Sequence, residues 1–485
     1  MTRRQCPAYL LVMIPGRKTS VVAVAGLLGM ACSRGPAAPG PSRATVPHTV
    51  IIVCVDALRA DHVSAYGYGR STTPNMDGVA AAGVLFEQAT AQSNWTVPAT
   101  ASLLTGVYPS DHGAGIRGRV RFLDRVAAPD PIAEEVKTLS ESLRALGLRT
   151  GLFSANPFLY GSFKRGFDVA QVDRVDATSL TDAAVRWLRE DPSARTFLYL
   201  QYMDTHHPLQ PPEPYYSRFV VPDGGPRGPE HERWPSGQQL DLEAPAFRSY
   251  RAHKLALYDG ALSFVDAEIG RLLATLRELR MDDDALIVVT SDHGEEFWDH
   301  AEVESRLGGD PRGIRGMGHG HSMFQELLRV PLIVRTPGAK GPRRNPCAVR
   351  HIDVAPTVLD LLGQGVPPEM RGRSLRAFLE RETAPRACPV LPQIAESPAY
   401  GPNSRSITWN QTKLVTRKDG VRLLFDLRRD PAEREDLSSA KPQLADRLYE
   451  ELQRHIRGER PRRGQAAPAY DPETAQQLKA LGYVQ

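Results

Sequence analysis

Cysteine is scarce in this chain: five in 485 residues are too few for a disulfide scaffold. A charge excess is missing as well. Sixty basic against 56 acidic residues leave +4, too little over this length to indicate a nucleic-acid partner. No apolar run of roughly 18 residues interrupts the body of the chain, which excludes a polytopic membrane protein. Internal repeats are absent too. The apolar and charged fractions, 41% and 24%, lie near globular averages and exclude global disorder. What is abundant is turn-forming residues: Gly and Pro number 40 each, which indicates many turns between short elements. At about 100–200 residues per domain, the length fits two to four domains, or one large α/β domain with a smaller companion.

Residues 1–32 read as an export signal. Arg17 and Lys18 form a basic region, and Ser20 to Met30 an apolar stretch too short to span a bilayer. Gly29-Met30-Ala31-Cys32 then resembles a bacterial lipobox, whose Cys would become the lipidated first residue. Leu28 stands one place earlier than the usual lipobox leucine, so ordinary signal cleavage is the alternative, and Met13 is an alternative start. Residues 33–46 form a Pro/Gly/Ser-rich tether with nothing to bury. The expected location is therefore the periplasm or, through an N-terminal lipid, the outer membrane of a bacterium. Exported thiols can oxidise. Cys54 reads as a buried small hydrophobe, whereas Cys347 and Cys388, both in Pro-rich context, either pair or remain separate thiols.

The body alternates strands with helices. Val50 to Val55 is a continuous apolar run ending in Asp56, the pattern of a strand covered on both faces of a parallel sheet. Further strands are expected at Arg149–Ser154, Thr196–Tyr202, Ala285–Thr290 and Val330–Arg335, and helices at Thr138–Leu148, Leu180–Leu188, Tyr250–Leu279 and His351–Leu362. This order predicts a doubly wound, mostly parallel α/β sandwich over residues 47–388. From 389 to 485 the order changes to four short strands (Leu391–Glu396, Arg405–Trp409, Lys413–Thr416, Val421–Asp426) and a helix near Gln443–Arg457. That is a small antiparallel sheet with a C-terminal helix. Residues 209–248 and 299–316 read as long loops at a pocket rim, with Trp234 and Arg227 available for contact.

Ligands in open α/β sheets bind beyond the carboxyl ends of the strands. Asp56 ends one strand, Asp204 and His206 follow another, and Asp292 and His293 end a third. Singly, such an Asp is more often a turn or cap residue. Three strand ends together point to a divalent metal held by carboxylate and imidazole. Thr96 stands two residues before Pro98, at or near the start of a helix, where backbone amides favour anions. Metal coordination would lower the pKa of its hydroxyl and make it a nucleophile.

A series of segments, in order, is similar to the sulfatases of the alkaline phosphatase superfamily over roughly residues 48–440. They include Val53-Cys54-Val55-Asp56-Ala57-Leu58-Arg59-Ala60-Asp61-His62, Ala101-Ser102-Leu103-Leu104-Thr105-Gly106-Val107-Tyr108-Pro109, Met203-Asp204-Thr205-His206-His207-Pro208, Ser291-Asp292-His293-Gly294 and Arg329-Val330-Pro331-Leu332. The resemblance implies a metal-dependent hydrolase of sulfate or phosphate and phosphonate esters. It places Asp56, Thr96, Asp292 and His293 on the metal (Ca, Mg, Mn or Zn), and His206 facing the transferred group. His319 or His321 falls near the leaving group. A second metal, if present, would take Asp204, His206 and His319, although a structural role for Asp204 is an equal reading. The implied substrate is a small-molecule, glycan or lipid ester.

Three positions depart from the family pattern. Its Cys/Ser-x-Pro-x-Arg signature, whose first residue is oxidised to formylglycine, here reads Thr96, Val97, Pro98, Ala99, Thr100, so both the oxidisable residue and the Arg are gone. Ala57 replaces a second Asp. The resemblance therefore shifts toward superfamily members in which an unmodified Thr attacks directly, and toward phosphorus rather than sulfur esters. A phosphotransferase acting on lipid or glycan head groups, or a binding protein that lost its chemistry, are the competing readings.

Overall fold

The computed structural model describes residues 46–115, 129–220, 241–310, 312, 316–339, 341–381, 383, 385 and 387–457. The expected leader, the lipobox Cys32 and the tether up to residue 45 lie outside the described residues, as do Arg227, Trp234 and residues 458–485.

The strands in chain order are β1 (Thr49–Val55), β2 (Val84–Thr90), β3 (Arg149–Ser154), β4 (Val169–Val172), β5 (Thr196–Tyr202), β6 (Ala285–Thr290), β7 (Glu296–Phe297) and β8 (Met317–Gly318). They continue with β9 (Arg329–Arg335), β10 (Arg343–Arg350), β11 (Gln393–Ala395), β12 (Ser404–Trp409), β13 (Thr412–Arg417) and β14 (Arg422–Asp426). Eight of them form one sheet in the order β10-β2-β9-β6-β1-β5-β3-β4. β9 is its one antiparallel member, pairing in reverse with both β2 and β6, while the other neighbours pair parallel. The expected mostly parallel α/β architecture is thus observed. Every residue of β1, β5 and β6 is buried, as continuous apolar runs in the middle of a covered sheet must be.

Helices join these strands, and local chemistry fixes several of their ends. Leu139–Ala145 starts with a capping box between Thr138 and Glu141, and Ala177–Glu190 starts at Asp176, whose carboxylate accepts from Ser179 N. The long helix Pro245–Glu278 begins five residues before the expected Tyr250, with Pro in its first turn. The expected helix 351–362 splits into a tight turn, His351–Asp353, and the helix Val354–Leu361. Among the described residues no helix is long and apolar enough to cross a membrane.

β11 to β14 form a second, antiparallel sheet, covered by the helix Pro442–Arg457. Ile394, Ile407, Leu414 and Leu424 pack there with Leu448 and Leu452, and with Tyr108 and Ile352 from the larger part. Cys347 on β10 and Cys388 form a disulfide, with 5.1 Å between their Cα atoms. It closes a loop with a sequence separation of 41, an entropic restriction of the unfolded chain of about 4 kcal/mol in the loop-closure picture. Cys54 is free and buried, as expected.

Candidate active site

Four adjacent strands, β6, β1, β5 and β3, end at the same edge. Cys54 is level with both Gln201 and Thr290, so the residues that follow β1 and β6 emerge side by side. Asp56 follows β1, Asp292 and His293 follow β6, His206 lies just beyond β5, and Asn156 just beyond β3. Asp56, Asp292 and His293 are fully buried, and each offers a ligand atom within 4.8 Å of the others. His293 Nε2 lies 3.6 Å from both Asp56 Oδ1 and Asp292 Oδ2. Its Nδ1 donates to Gly294 O at 2.8 Å, which leaves Nε2 as the lone-pair nitrogen facing the carboxylates. Gly294 makes this tight return possible: a Cβ there would stand 1.8 Å from Glu326 O.

Thr96 completes the group. It is the first residue of the fully buried helix Thr96–Thr105; Trp95, not Thr96, holds the capping position, and it makes no side-chain cap. The Thr96 hydroxyl is therefore free to turn toward the carboxylates. Its Oγ1 lies 3.4 Å from both Asp56 Oδ2 and His293 Nε2.

Two amides missed in the sequence fill the space between these groups. Asn156 Nδ2 donates to Asp56 Oδ2 at 2.5 Å and to Thr96 Oγ1 at 3.1 Å, while its Oδ1 accepts from Phe158 N. Gln201 Nε2 bridges Asp56 Oδ2 and Asp292 Oδ2, 3.1 Å from each. Ala57, where a second Asp was absent, adopts φ 56° and gives its amide to Asp292 Oδ1 at 3.2 Å. The signals were present: Asn156 is a polar residue two places past an apolar strand, and Gln201 interrupts a buried one.

Burial shapes the electrostatics. Desolvation first, and the neighbouring Asp56 second, push the Asp292 carboxyl up to about 6. His206 and His319 are both driven below the ordinary histidine value, chiefly by desolvation, and His319 further by His293 and His206. The rings of His293, His319 and His206 run in series, with centroids 4.3 Å and 4.8 Å apart. His206 Nδ1 donates to His207 O at 2.6 Å, and His319 Nδ1 faces Glu295 at 3.3 Å.

Two expected site residues are elsewhere. Asp204 takes no part in the metal-type cluster; its Oδ1 accepts from Ala177 N at the start of the helix Ala177–Glu190. This contact is the structural role that was the equal reading for Asp204; its Oδ2 is buried without a hydrogen-bond partner. His321 does not join His319 either. Gly320 between them turns the backbone at φ 85°, which parts the two rings, and His321 Nε2 pairs with Glu296 at 2.7 Å and Glu304 at 3.0 Å. The leaving-group reading thus rests on His319 and His206.

The donor set fits a divalent cation. Two carboxylates, one imidazole nitrogen and a hydroxyl converge without a lysine or arginine among them, and Asp56 Oδ1 is buried with no hydrogen-bond partner.

Comparison with known proteins agrees with this geometry. The family profile described as Sulfatase matches residues 48–364, and that of the N-sulphoglucosamine sulphohydrolase C-terminal region matches 315–460. An arylsulfatase of Clostridium perfringens is 23% identical over 81% of this chain and 90% of its own. A multifunctional alkaline phosphatase superfamily protein of Trinickia caryophylli is 26% identical over 68% of this chain and 76% of its own. Arylsulfatase K of mouse and dog are 27% and 24% identical; the aligned region spans 34% and 54% of their length and 41% and 56% of this chain. Among solved structures, a phosphonate monoester hydrolase of Agrobacterium radiobacter superposes with a TM-score of 0.64 at 21% identity, covering 85% of this chain and 96% of its own. A protein in complex with its substrate D-glucosamine-2-N,6-O-disulfate superposes at 0.66 and 21%, covering 87% and 99%. With two thirds of its length under one family profile and the sheet edge arranged around the residues that profile spans, this chain belongs to the sulfatase family.

Proposed function

We propose that the chain is a metal-dependent hydrolase of phosphate or phosphonate esters in which Thr96, unmodified, is the nucleophile. The observation that carries this reading is the position of the Thr96 hydroxyl, 3.4 Å from both Asp56 and His293 in a fully buried cluster. Asp56, Asp292, His293 and Thr96 would hold the cation, which supplies charge to polarise the ester and lower the hydroxyl pKa.

The chain's own groups account for the remaining chemistry. The backbone amides at the start of the helix Thr96–Thr105 favour the anionic ester. Asn156 fixes the Thr96 side chain by its hydrogen bond, and Asp56 Oδ2 receives the hydroxyl proton as Oγ1 forms its bond to phosphorus. The P–O bond to the alcohol breaks, and the leaving oxygen takes a proton from the His206–His319 pair. Burial holds both imidazoles below the ordinary histidine value, and a bound anionic ester favours their protonation. Water then attacks phosphorus, giving one proton back to the His206–His319 pair, while the P–O bond to Thr96 breaks and Asp56 returns its proton to Oγ1, releasing the acid.

Phosphorus is preferred because Thr96 and Thr100 stand where sulfatases carry the formylglycine precursor and its Arg. A threonine ester lacks the aldehyde-hydrate route by which formylglycine expels sulfate. The phosphonate monoester hydrolase fold and the Trinickia relative support this reading, whereas the arylsulfatase relatives support sulfate as the second one. A panel of aryl phosphates, aryl phosphonates and an aryl sulfate decides between them: the phosphorus esters turn over faster without any maturation factor, and faster sulfate hydrolysis overturns the preference. No turnover of any ester, with metal bound, identifies the binding-protein alternative.

A further inference from the structure

His321 and the carboxylates around it are left unused by the proposed chemistry. Glu296 lies on β7, Glu304 on the short helix Ala301–Arg306, and His321 just past β8. Each offers a ligand atom within 4.8 Å of the others. Glu296 is fully buried, and the side chains of Glu304 and His321 are 9% and 4% exposed. Glu296 Oε1 is taken by His300 N at 3.1 Å, so Oε2 is the oxygen facing the imidazole.

Hydrogen bonding does not satisfy this group. His321 Nε2 donates to Glu296 Oε2 at 2.7 Å and stands 3.0 Å from Glu304 Oε1 without a well-directed hydrogen bond to it. Neither oxygen of the buried Glu304 has a hydrogen bond of acceptable geometry, and His321 Nδ1 has none. The only guanidinium paired here among the described contacts, Arg312, is engaged with Asp310 at 2.6 Å. A comparison cluster lies nearby in sequence. His300, Glu326 and Glu433 also converge, but there a lysine of the chain stands beside the carboxylates: Lys413 Nζ is 2.7 Å from Glu433 Oε1, an ion pair without well-directed hydrogen-bond geometry, and Gln325 N donates to Oε2. Among the described residues no lysine plays that part around His321.

We infer that Glu296, Glu304 and His321 form a second metal site, one that takes a divalent transition-metal ion of the zinc or manganese type. One imidazole nitrogen and two carboxylate oxygens are the donor set such ions prefer over calcium. Coordination through Nε2 requires the proton on Nδ1; Asp310 Oδ2 lies 3.6 Å from that atom, just beyond hydrogen-bond distance, and a small approach on metal binding would give the ring an orienting carboxylate. The ion joins β7, β8 and the helix Ala301–Arg306, three elements too short to hold their relative positions by backbone bonding alone. β7 begins three residues after His293, and β8 leads into His319. The site is thus a staple for the segment that carries His319 and does not depend on the identity of the nucleophile or ester.

The competing account is a metal-free cluster in which His321 carries a proton between the two carboxylates. Burial pushes the Glu296 carboxyl up to about 8, and Glu304 lies below its ordinary value. Crystals of the wild-type protein grown with zinc, with diffraction recorded on both sides of the zinc edge, separate the two. The proposal predicts an anomalous peak bounded by Glu296, Glu304 and His321. Its absence overturns the proposal, whatever the strand-end site shows. As a solution check, Asp56→Ala protein equilibrated with zinc retains one tightly bound ion per chain, and adding Glu304→Gln removes it. Equal zinc content in the two proteins contradicts the assignment. A strand-end metal failing to bind would instead show as a missing peak at Asp56 with the His321 peak present.

Discussion

The strand-end cluster and the His321 cluster are both buried groups of carboxylate and imidazole, yet they are built differently. Asp56, Asp292 and His293 hang from the ends of long, fully buried strands whose register is fixed along six or seven residues. Glu296, Glu304 and His321 come from two-residue strands and a six-residue helix. The first is pre-organised by the sheet, so its geometry survives repulsion between its own carboxylates. The second has no long sheet behind it: its short elements pair with each other and rest on an apolar cluster in which Phe297, Trp298, Ala301 and Met317 meet Phe247 and Tyr258. If the first group catalyses and the second holds an ion, a shared ligand chemistry serves reaction in one place and fastening in the other, and the rigidity of the support distinguishes them.

The largest expected effect separates chemistry from metal binding at the strand-end site. Thr96→Ala lowers kcat on the order of 10³-fold or more, as loss of a covalent nucleophile does. Thr96→Ser retains part of the activity, and both variants keep the anomalous signal at His321. Full activity in Thr96→Ala would make water the attacking group.

Asp56→Ala comes next. It removes the strand-end ion and most of the turnover while the fold, read by circular dichroism, is kept. Unchanged metal content at the strand-end site would sink the ligand assignment.

Asn156→Ala has a smaller effect. It removes a hydrogen bond to Thr96 and one to Asp56, and a fall in kcat of roughly 10- to 100-fold is expected for a lost orienting contact, with KM little changed. Asn156→Asp adds a third carboxylate and should not restore the rate. A change confined to KM would mean that Asn156 contacts substrate and does not orient Thr96.

The smallest effect is expected at Asp204. Burial raises its carboxyl to about 6, and its hydrogen bond goes to the Ala177 amide. Asp204→Asn leaves metal stoichiometry and kcat unchanged. Loss of an ion in this variant would restore the two-metal reading.

Much of the large sheet was legible because its central strands are uninterrupted apolar runs. The strands that escaped are of another kind. β2 carries Glu87 and Gln88 in its middle, with a register shift between Phe86 and Ala89, and β10 is an edge strand rich in Arg with Pro346 inside it. β4 is an edge strand of four residues. At the site, Asp56, His206, Asp292 and His293 could be read because strand ends converge in a parallel sheet, Thr96 because it stands at a helix start before Pro98, and His319 through the family resemblance. Asn156 would have followed from applying the same rule to β3. His321 could not be separated from His319 by spacing alone, because in Gly318-His319-Gly320-His321 only the fold decides which side each ring takes. Glu304 carried no signal: it belongs to a short polar helix in a stretch read as loop.

The central claim is that the reaction passes through an ester of Thr96. Its most direct test is the stereochemical course of hydrolysis of an aryl phosphorothioate made chiral at phosphorus by its sulfur and two oxygen isotopes and hydrolysed in water of the third isotope, using the wild-type protein loaded with metal. Two successive in-line displacements, first by Thr96 and then by water, predict net retention of configuration. Net inversion would show a single displacement by water and contradict the account.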